Sequence, residues 1–203
     1  CSSDLKKRRI IANITVNQIH FERKEKLIRQ LIDDKLINGI GISLRKPTRE
    51  FINRIKEYPN AVIHTIVGVL SPEDIEALMY NDLKILILGY KDLGRGVDYK
   101  ATHMAEWLRN KNHLYDVLPN MINAFKVVSF DNLSINQLDV KRILPPEKWD
   151  EFYMGDEGTS SMFIDLVTGK FGISSLCHEN EMHPIMDDIK DMFAIVKSEA
   201  KLK

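Results

Sequence analysis

Along the first two thirds of the chain, segments with the hydrophobic pattern of a strand alternate with segments that have the pattern of a helix. Runs rich in β-branched residues predict strands, and runs with apolar residues three or four positions apart predict helices. In the first helical run, Leu27, Ile28, Leu31 and Ile32 share one side. The predicted strands lie at 8–18, 37–44, 60–70, 83–89 and 124–132. The predicted helices between them lie at 22–36, 47–58, 71–82 and 100–118.

Strands that alternate with helices at short spacing predict βαβ units and a parallel sheet. We therefore predict an α/β fold in which residues 1–133 form a partial TIM-like (β/α) barrel. The pattern changes afterwards, and residues 134–203 are predicted to be a C-terminal extension. Within it, 160–175 predicts a β-hairpin that turns at Thr168 and Gly169, and 186–201 predicts a terminal helix.

The two faces of the predicted strands differ in polarity. Because side chains alternate across a strand, one face carries Asn13, Thr15, Asn17, Gly39, Gly41 and Ser43. The opposite face of the same strands is β-branched or aliphatic. A packed barrel lumen favours bulky aliphatic residues, so small and polar residues there indicate room for a ligand. The alternative is a wet core in which Asn13 and Thr15 bond each other or trapped water.

Polar residues also follow the predicted strands, and the carboxyl ends of parallel strands meet at one edge of a sheet. These residues are Asn17, Ser43, Gly68, Tyr90, Lys91 and Asp131. The loop after Gly89 is therefore predicted to be part of a site, with Gly94 and Gly96 giving it backbone freedom. Arg95 between them can reach a substrate carboxylate or phosphate, or form a surface salt bridge.

Composition excludes several classes of protein. The 29 basic and 29 acidic side chains balance, so we expect neither nucleic acid nor membrane as a partner. The basic run KKRR at 6–9 is typical of a solvated edge. Cys1 and Cys177 form no disulfide framework, which favours a reducing cytoplasm. The chain begins with cysteine rather than methionine, so we expect it to be a piece of a longer protein.

Several familiar motifs are not matched. GYKDLGRG lacks the Gly-Lys-Ser/Thr ending of a phosphate-binding loop, and CHENEMH lacks a second pair of zinc ligands. No metal site is predicted. His64 lies within a strand, where it is either a core histidine or a base.

The segments ITVNQ, GIGISL, IHTIVGVLSPEDIEAL and LKILILGYKDLGRG resemble the later strands of radical S-adenosylmethionine (SAM) enzymes. The resemblance covers residues 10–100, and loosely 150–176, where the sequence is similar to a C-terminal hairpin of some members. The family binds SAM across the strand ends of a partial barrel. The resemblance implies that Ser43 faces the ribose of SAM and that Ile66, Val67 and Gly68 pack against its adenine. Asn17 is a further candidate for SAM binding.

The same resemblance implies that substrate lies in the lumen, where a 5′-deoxyadenosyl radical abstracts hydrogen. The expected substrate wall consists of Thr15, His64, Tyr90, Lys91, Arg95 and Asp131. The family's C-x-x-x-C-x-x-C loop, which ligates a [4Fe–4S] cluster, is absent, as is its glycine-rich second-strand motif. Both belong upstream of the first strand in the family.

The chain is therefore predicted to be the C-terminal portion of a radical SAM enzyme. SAM and the [4Fe–4S] cluster are expected in the full-length parent, and no cofactor is expected for this chain alone. An upstream segment or a partner chain is expected to cover the edge of the first strand. Two alternatives remain: a cluster-free binding or interaction module, and an unrelated barrel enzyme that uses Lys91, Asp131 and His64.

Overall fold

A computed structural model describes residues 2–202, except for the side chains of Ser2 and Ser3. Cys1, one of the two cysteines considered above, lies outside the described residues, and Cys177 is a free thiol. The chain forms two compact units that divide between Ile143 and Leu144. The sequence places this boundary at 133/134, whereas the first unit also includes a helix at 132–138 that packs on its sheet.

The first unit is a parallel sheet whose strands alternate with helices, which confirms the predicted α/β class. Its strands are β1 (Asn13–Asn17), β2 (Gly39–Ser43), β3 (Ala61–Ile66), β4 (Lys84–Leu88) and β5 (Val127–Phe130). Its helices are α1 (Ser2–Lys7), α2 (Gln18–Asp33), α3 (Arg49–Ile55), α4 (Pro72–Leu78), α5 (Arg95–Ala124), α6 (Asn132–Leu138) and a 3-10 helix (Val140–Ile143).

The order of the strands in the sheet follows their order in the chain, β1-β2-β3-β4-β5. This is the order of consecutive strands in a (β/α) barrel, whereas a doubly wound sheet reverses direction at a switch point. The sheet is open at both sides: within residues 2–202, no further strand pairs with the outer edge of β1 or of β5.

The helices bury one face of the sheet. Ile63, Ile85 and Ile87 point into this core and are almost fully buried. Their neighbours on the other face, such as His64 and Leu86, are half-buried, and Ile66 is exposed. We call this second side the accessible face; it holds the predicted small and polar positions of β1 and β2.

Several element boundaries differ from the sequence prediction by a few residues, and the largest differences concern β1 and α5. The run at 8–18 begins as a strand only at Asn13, and α1 precedes it. Polar and basic residues at 2–7 carry no apolar periodicity, so this short helix has no sequence signal. The helix predicted at 100–118 extends from Arg95 to Ala124, so Gly96 belongs to the helix rather than to a loop.

The second unit contains a small antiparallel sheet in the order β6-β7-β8 and a terminal helix. Its elements are α7 (Pro146–Phe152), β6 (Phe163–Asp165), β7 (Lys170–Gly172), a 3-10 helix (Glu179–Glu181), β8 (His183–Pro184) and α8 (Ile189–Ala200). The predicted hairpin is confirmed as β6 and β7, with Gly169 at a φ of 68° in its turn. The third strand, β8, was not predicted because two residues are too few to show a periodicity.

Each unit has its own hydrophobic core. That of the second unit consists of Phe171, Ile173, Met192 and Val196. Across residues 2–202, no helix is both long and apolar enough to span a bilayer.

Candidate functional site

The carboxyl ends of the strands lie along one edge of the sheet, because all neighbouring pairs are parallel and in register. Asn17 is paired with Ser43, Ser43 with His64, and Ile66 with Leu88. Asp131 follows β5 and Tyr90 follows β4 at this same edge. The predicted site residues therefore lie along one edge and the adjoining accessible face, spread from β1 to β5, and each has a different environment.

Thr15 and His64 approach each other across β2, because the residue between them is Gly41. A Cβ atom at position 41 would lie 2.6 Å from His64 Nε2 and 2.8 Å from Thr15 Oγ1. Both polar atoms therefore lie close to the Cα of residue 41, in space that a side chain at this position would occupy. Only glycine leaves this space free. The accessible face thus presents a hydroxyl and an imidazole side by side.

His64 is neutral near pH 7. Its ring is half-buried, and this desolvation lowers its pKa below the usual value near 6.5. Lys84 also belongs to this face by alternation, but it lies at the start of β4, and its Nζ donates to Pro59 O at the opposite, amino-terminal end of the strands. A neutral imidazole can donate through one nitrogen and accept through the other, so His64 can hold or relay a proton at Nε2.

Ser43 and Ile66 are accessible at the strand ends. Ser43 ends β2 with an exposed side chain, and Ile66 ends β3 with 41% of its surface exposed. A hydroxyl and an aliphatic side chain are therefore accessible at adjacent strand ends.

Val67 and Gly68 are covered by the protein itself. The Val67 side chain is fully buried, its N–H donates to Leu88 O at 2.9 Å, and its carbonyl accepts from Trp107 Nε1 at 3.2 Å. Gly68 has a φ of 78°, and a Cβ there would lie 2.5 Å from the Trp107 ring. The indole of α5 thus occupies the space in which the sequence prediction places an adenine contact.

Tyr90 and Asp131 make hydrogen bonds that stabilise the carboxyl ends of β4 and β5. The Tyr90 N–H donates to Gln137 Oε1 and its carbonyl accepts from Gln137 Nε2, both at 2.8 Å. The Tyr90 hydroxyl donates to the carbonyl of Gly96. Asp131 Oδ1 accepts from the N–H groups of Gly89 and Ser134, each at 2.8 Å. These contacts link β4 to α6 and leave the Tyr90 side chain buried.

Asn17, Lys91 and Arg95 lie at the edge with exposed side chains. Asn17 Oδ1 accepts from the His20 N–H at 2.8 Å and caps α2. Arg95 is the first residue of α5, directly after Gly94 with its φ of 53°. Gly96 is required for a reason other than loop freedom: a Cβ there would lie 2.1 Å from Lys91 O.

Sequence reasoning missed the residues of α5 that cover the edge. Trp107 packs on Gly68, and fully buried Asn110 donates to Gly68 O at 3.4 Å. Asn110 Oδ1 has no hydrogen-bond partner among the described residues. Trp107 and Asn110 are three positions apart and so share one side of a helix, which the sequence shows. The sequence does not show that this side contacts the end of β3.

The described residues do not supply a ligand set for an iron–sulfur cluster. In residues 2–202, no group of three or more His, Cys, Asp or Glu side chains is placed to hold a metal ion. Cys177 is the thiol that the structure describes, and a cluster requires several converging thiolates. Comparison with protein-family models, with curated proteins and with solved structures finds no match to this chain.

Proposed function

We propose that this chain is the C-terminal portion of a radical SAM enzyme, in which the accessible face and the carboxyl edge of the sheet bind SAM and wall the substrate. Two features of the sheet support the proposal. Helices bury only one of its faces, and its parallel strands lie in the same order as in the chain. Sheets of doubly wound proteins are covered on both faces. A barrel segment instead keeps one face for its lumen.

Within the described residues, the outer side of β1, the first strand of the sheet, is unpaired, and this supports the same proposal. An unpaired strand edge exposes backbone donors and acceptors, which invite pairing with another strand. Upstream strands of the parent protein, or a partner chain, would continue the sheet at β1 and close more of the lumen. Such a protein works in the cytoplasm, where thiols stay reduced.

Each accessible residue then has a simple role. Ser43 donates to or accepts from the ribose, and Ile66 packs against the base. Thr15 and neutral His64 face the lumen and orient a polar group of the substrate. Lys91 and Arg95 attract anionic groups at the edge. Asp131 and Tyr90 hold these positions through their contacts with α6 and α5.

The [4Fe–4S] cluster would supply the electron that cleaves SAM, and its ligands would come from a segment outside this chain. The residues described above bind, orient and shield; none of them is assigned a step on the cluster. The first test is the gene sequence upstream of Cys1. A C-x-x-x-C-x-x-C motif there supports the proposal, and its absence favours the cluster-free binding module.

The second test measures SAM affinity of the anaerobically purified full-length protein by equilibrium dialysis. Ser43→Ala should weaken SAM binding by the cost of one lost hydrogen bond to a partly buried group, about 1–3 kcal/mol. Ser198→Ala is the matched control, because Ser198 is an exposed serine on α8 of the second unit and has no assigned role in binding. Equal SAM affinity in wild type and both variants would refute the assignment of Ser43.

A further inference from the structure

The opposite, amino-terminal edge of the sheet contains a cleft of about 400 Å³. It lies where α3 and α4 end and where β3, β4 and β5 begin, far along the strands from the residues discussed above. Ligand sites in proteins are commonly clefts of roughly 300–1,000 Å³ with an apolar floor and a few polar groups. This cleft has both features.

Three lysines line the cleft, Lys56, Lys84 and Lys126, and we call it the lysine cleft. Lys56 Nζ donates to Asn81 Oδ1 at 3.0 Å, and Lys84 Nζ donates to Pro59 O at 2.8 Å. These acceptors are neutral, so they leave both positive charges uncompensated.

Lys126 has an acidic neighbour, but the pair is weak. Its Nζ lies 3.7 Å from Asp82 Oδ2, and both side chains are largely exposed. Asp82 is the one acidic side chain among the lining residues. Positive charge therefore exceeds negative charge around the lysine cleft.

The floor of the lysine cleft is apolar. Ile55, Ile63 and Leu83 line it with 2%, 1% and 5% of their surfaces exposed, so the core of the first unit offers a small apolar contact here. Tyr80 stands at the margin with 77% of its surface exposed. A ligand held here would place its charged group among the lysines and an apolar group on this floor.

One wall of the lysine cleft is fixed in place by hydrogen bonds. Tyr80 and Asp82 have φ values of 58° and 57°, which are costly for residues other than glycine. Asn81 between them donates to the carbonyls of Ala77 and Met79 at 3.1 and 2.9 Å. The Tyr80 N–H donates to Ala124 O at 2.9 Å. The cleft is thus formed before any ligand binds, which lowers the entropic cost of binding.

We propose that the lysine cleft binds an organic anion, with a carboxylate or phosphate group at the lysines and a flat apolar group on the floor. Ammonium groups bind both kinds of anion, and a volume of about 400 Å³ lies in the range of small-ligand sites. This site is separate from the SAM and substrate positions, so it stands or falls independently of the proposed function.

The test titrates the protein with four probes: phenyl phosphate, benzoate, inorganic phosphate and phenol. Chemical shifts of the Ile55, Ile63 and Leu83 methyl groups report binding by NMR. We expect saturable shifts with phenyl phosphate or benzoate, and the tighter of the two identifies the preferred anionic group. Inorganic phosphate and phenol each lack half of the ligand and should bind about tenfold more weakly or worse.

Variants test the role of charge. Lys84→Met keeps the side-chain length and should weaken binding about tenfold, the usual scale for one charged hydrogen bond. Lys26→Met makes the same charge change on an exposed face of α2 and should leave affinity unchanged. Thermal unfolding of both variants verifies that they fold.

Three outcomes overturn the proposal. The first is the absence of saturable methyl shifts with both phenyl phosphate and benzoate at millimolar concentration. The second is unchanged affinity in Lys84→Met and Lys126→Met. Inorganic phosphate binding as tightly as phenyl phosphate would also overturn it, because the floor would then contribute nothing.

Discussion

At the scale of single residues, Gly41 decides how the accessible face is built. Its missing side chain lets the His64 imidazole and the Thr15 hydroxyl meet above β2. Any Cβ at this position must displace one of them. The glycine is thus required by a close approach rather than by an unusual backbone angle, since Gly41 has no positive φ.

We expect Gly41→Ala to destabilise the protein by about 1–3 kcal/mol, the typical cost of overpacking. Urea unfolding measures the change, and the His64 ring signals should shift. Gly172→Ala is the matched control, because it is also a strand glycine and a Cβ there meets its nearest atom at an ordinary 3.5 Å. A variant at Gly41 as stable as wild type, with unshifted His64 signals, would contradict the close approach.

His64 makes the stability of the protein depend on pH, and the direction of its pKa shift fixes the direction of this dependence. Burial lowers its pKa in the folded state below the usual value near 6.5. The unfolded chain therefore binds a proton more readily than the folded protein between these two pKa values. Stability is fully present above pH 6.5 and decreases as the pH falls toward the folded pKa.

Titration of the His64 ring by NMR should give a pKa below the usual value near 6.5. Urea unfolding at several pH values should show a loss of stability on acidification that is smaller in His64→Gln, which cannot titrate. A His64 pKa at or above 6.5 would contradict the burial of the ring.

At the scale of elements, the N-terminal caps explain why two neighbouring site candidates differ in their structural role. Asn17 ends β1 and caps α2 through its bond to the His20 N–H, whereas Ser43 ends β2 with an exposed hydroxyl. Thr48, Ser71 and Asp131 cap later helices in the same way. Polar residues after strands therefore serve the helix that follows as well as the edge of the sheet.

Asn17→Ala should destabilise the protein by about 1 kcal/mol through the lost helix cap. Ser43→Ala should change stability by less than about 0.5 kcal/mol, as surface substitutions usually do. Thermal or urea unfolding of the two variants, side by side, measures the difference. Equal stability of the two variants would show that the Asn17 cap contributes nothing.

The types and order of the longer elements were predictable from the sequence, because the five strands of the first unit and the helices between them have a clear periodicity. For example, α4 begins at Pro72, inside the predicted range 71–82, with Ser71 as its N-cap. The short elements α1, α6 and β8 were missed because six, seven and two residues carry too little pattern. The burial of Val67 was also missed, since it depends on Trp107, which lies 40 positions along the chain.

At the scale of the whole molecule, the two edges of the sheet offer different chemistry. The carboxyl edge carries Ser43, Ile66 and the hydroxyl–imidazole pair of the accessible face, while the amino edge carries the lysine cleft. The sequence pointed to the first because parallel-strand topology brings those residues together. It did not point to the second, because Lys56, Lys84 and Lys126 each look like ordinary surface lysines in the sequence.

The strand order of the sheet also has a consequence for how the chain folds. Every strand pairs with the strand that precedes it in the sequence, so no pairing must wait for a distant segment. Each pairing closes a loop that contains one connecting helix, and the entropic cost of closing a loop grows slowly with its length. The pairing of β4 with β5 has the longest interval, because the 30 residues of α5 lie between them. The first four strands can therefore assemble in order as they leave the ribosome, and β5 joins them last.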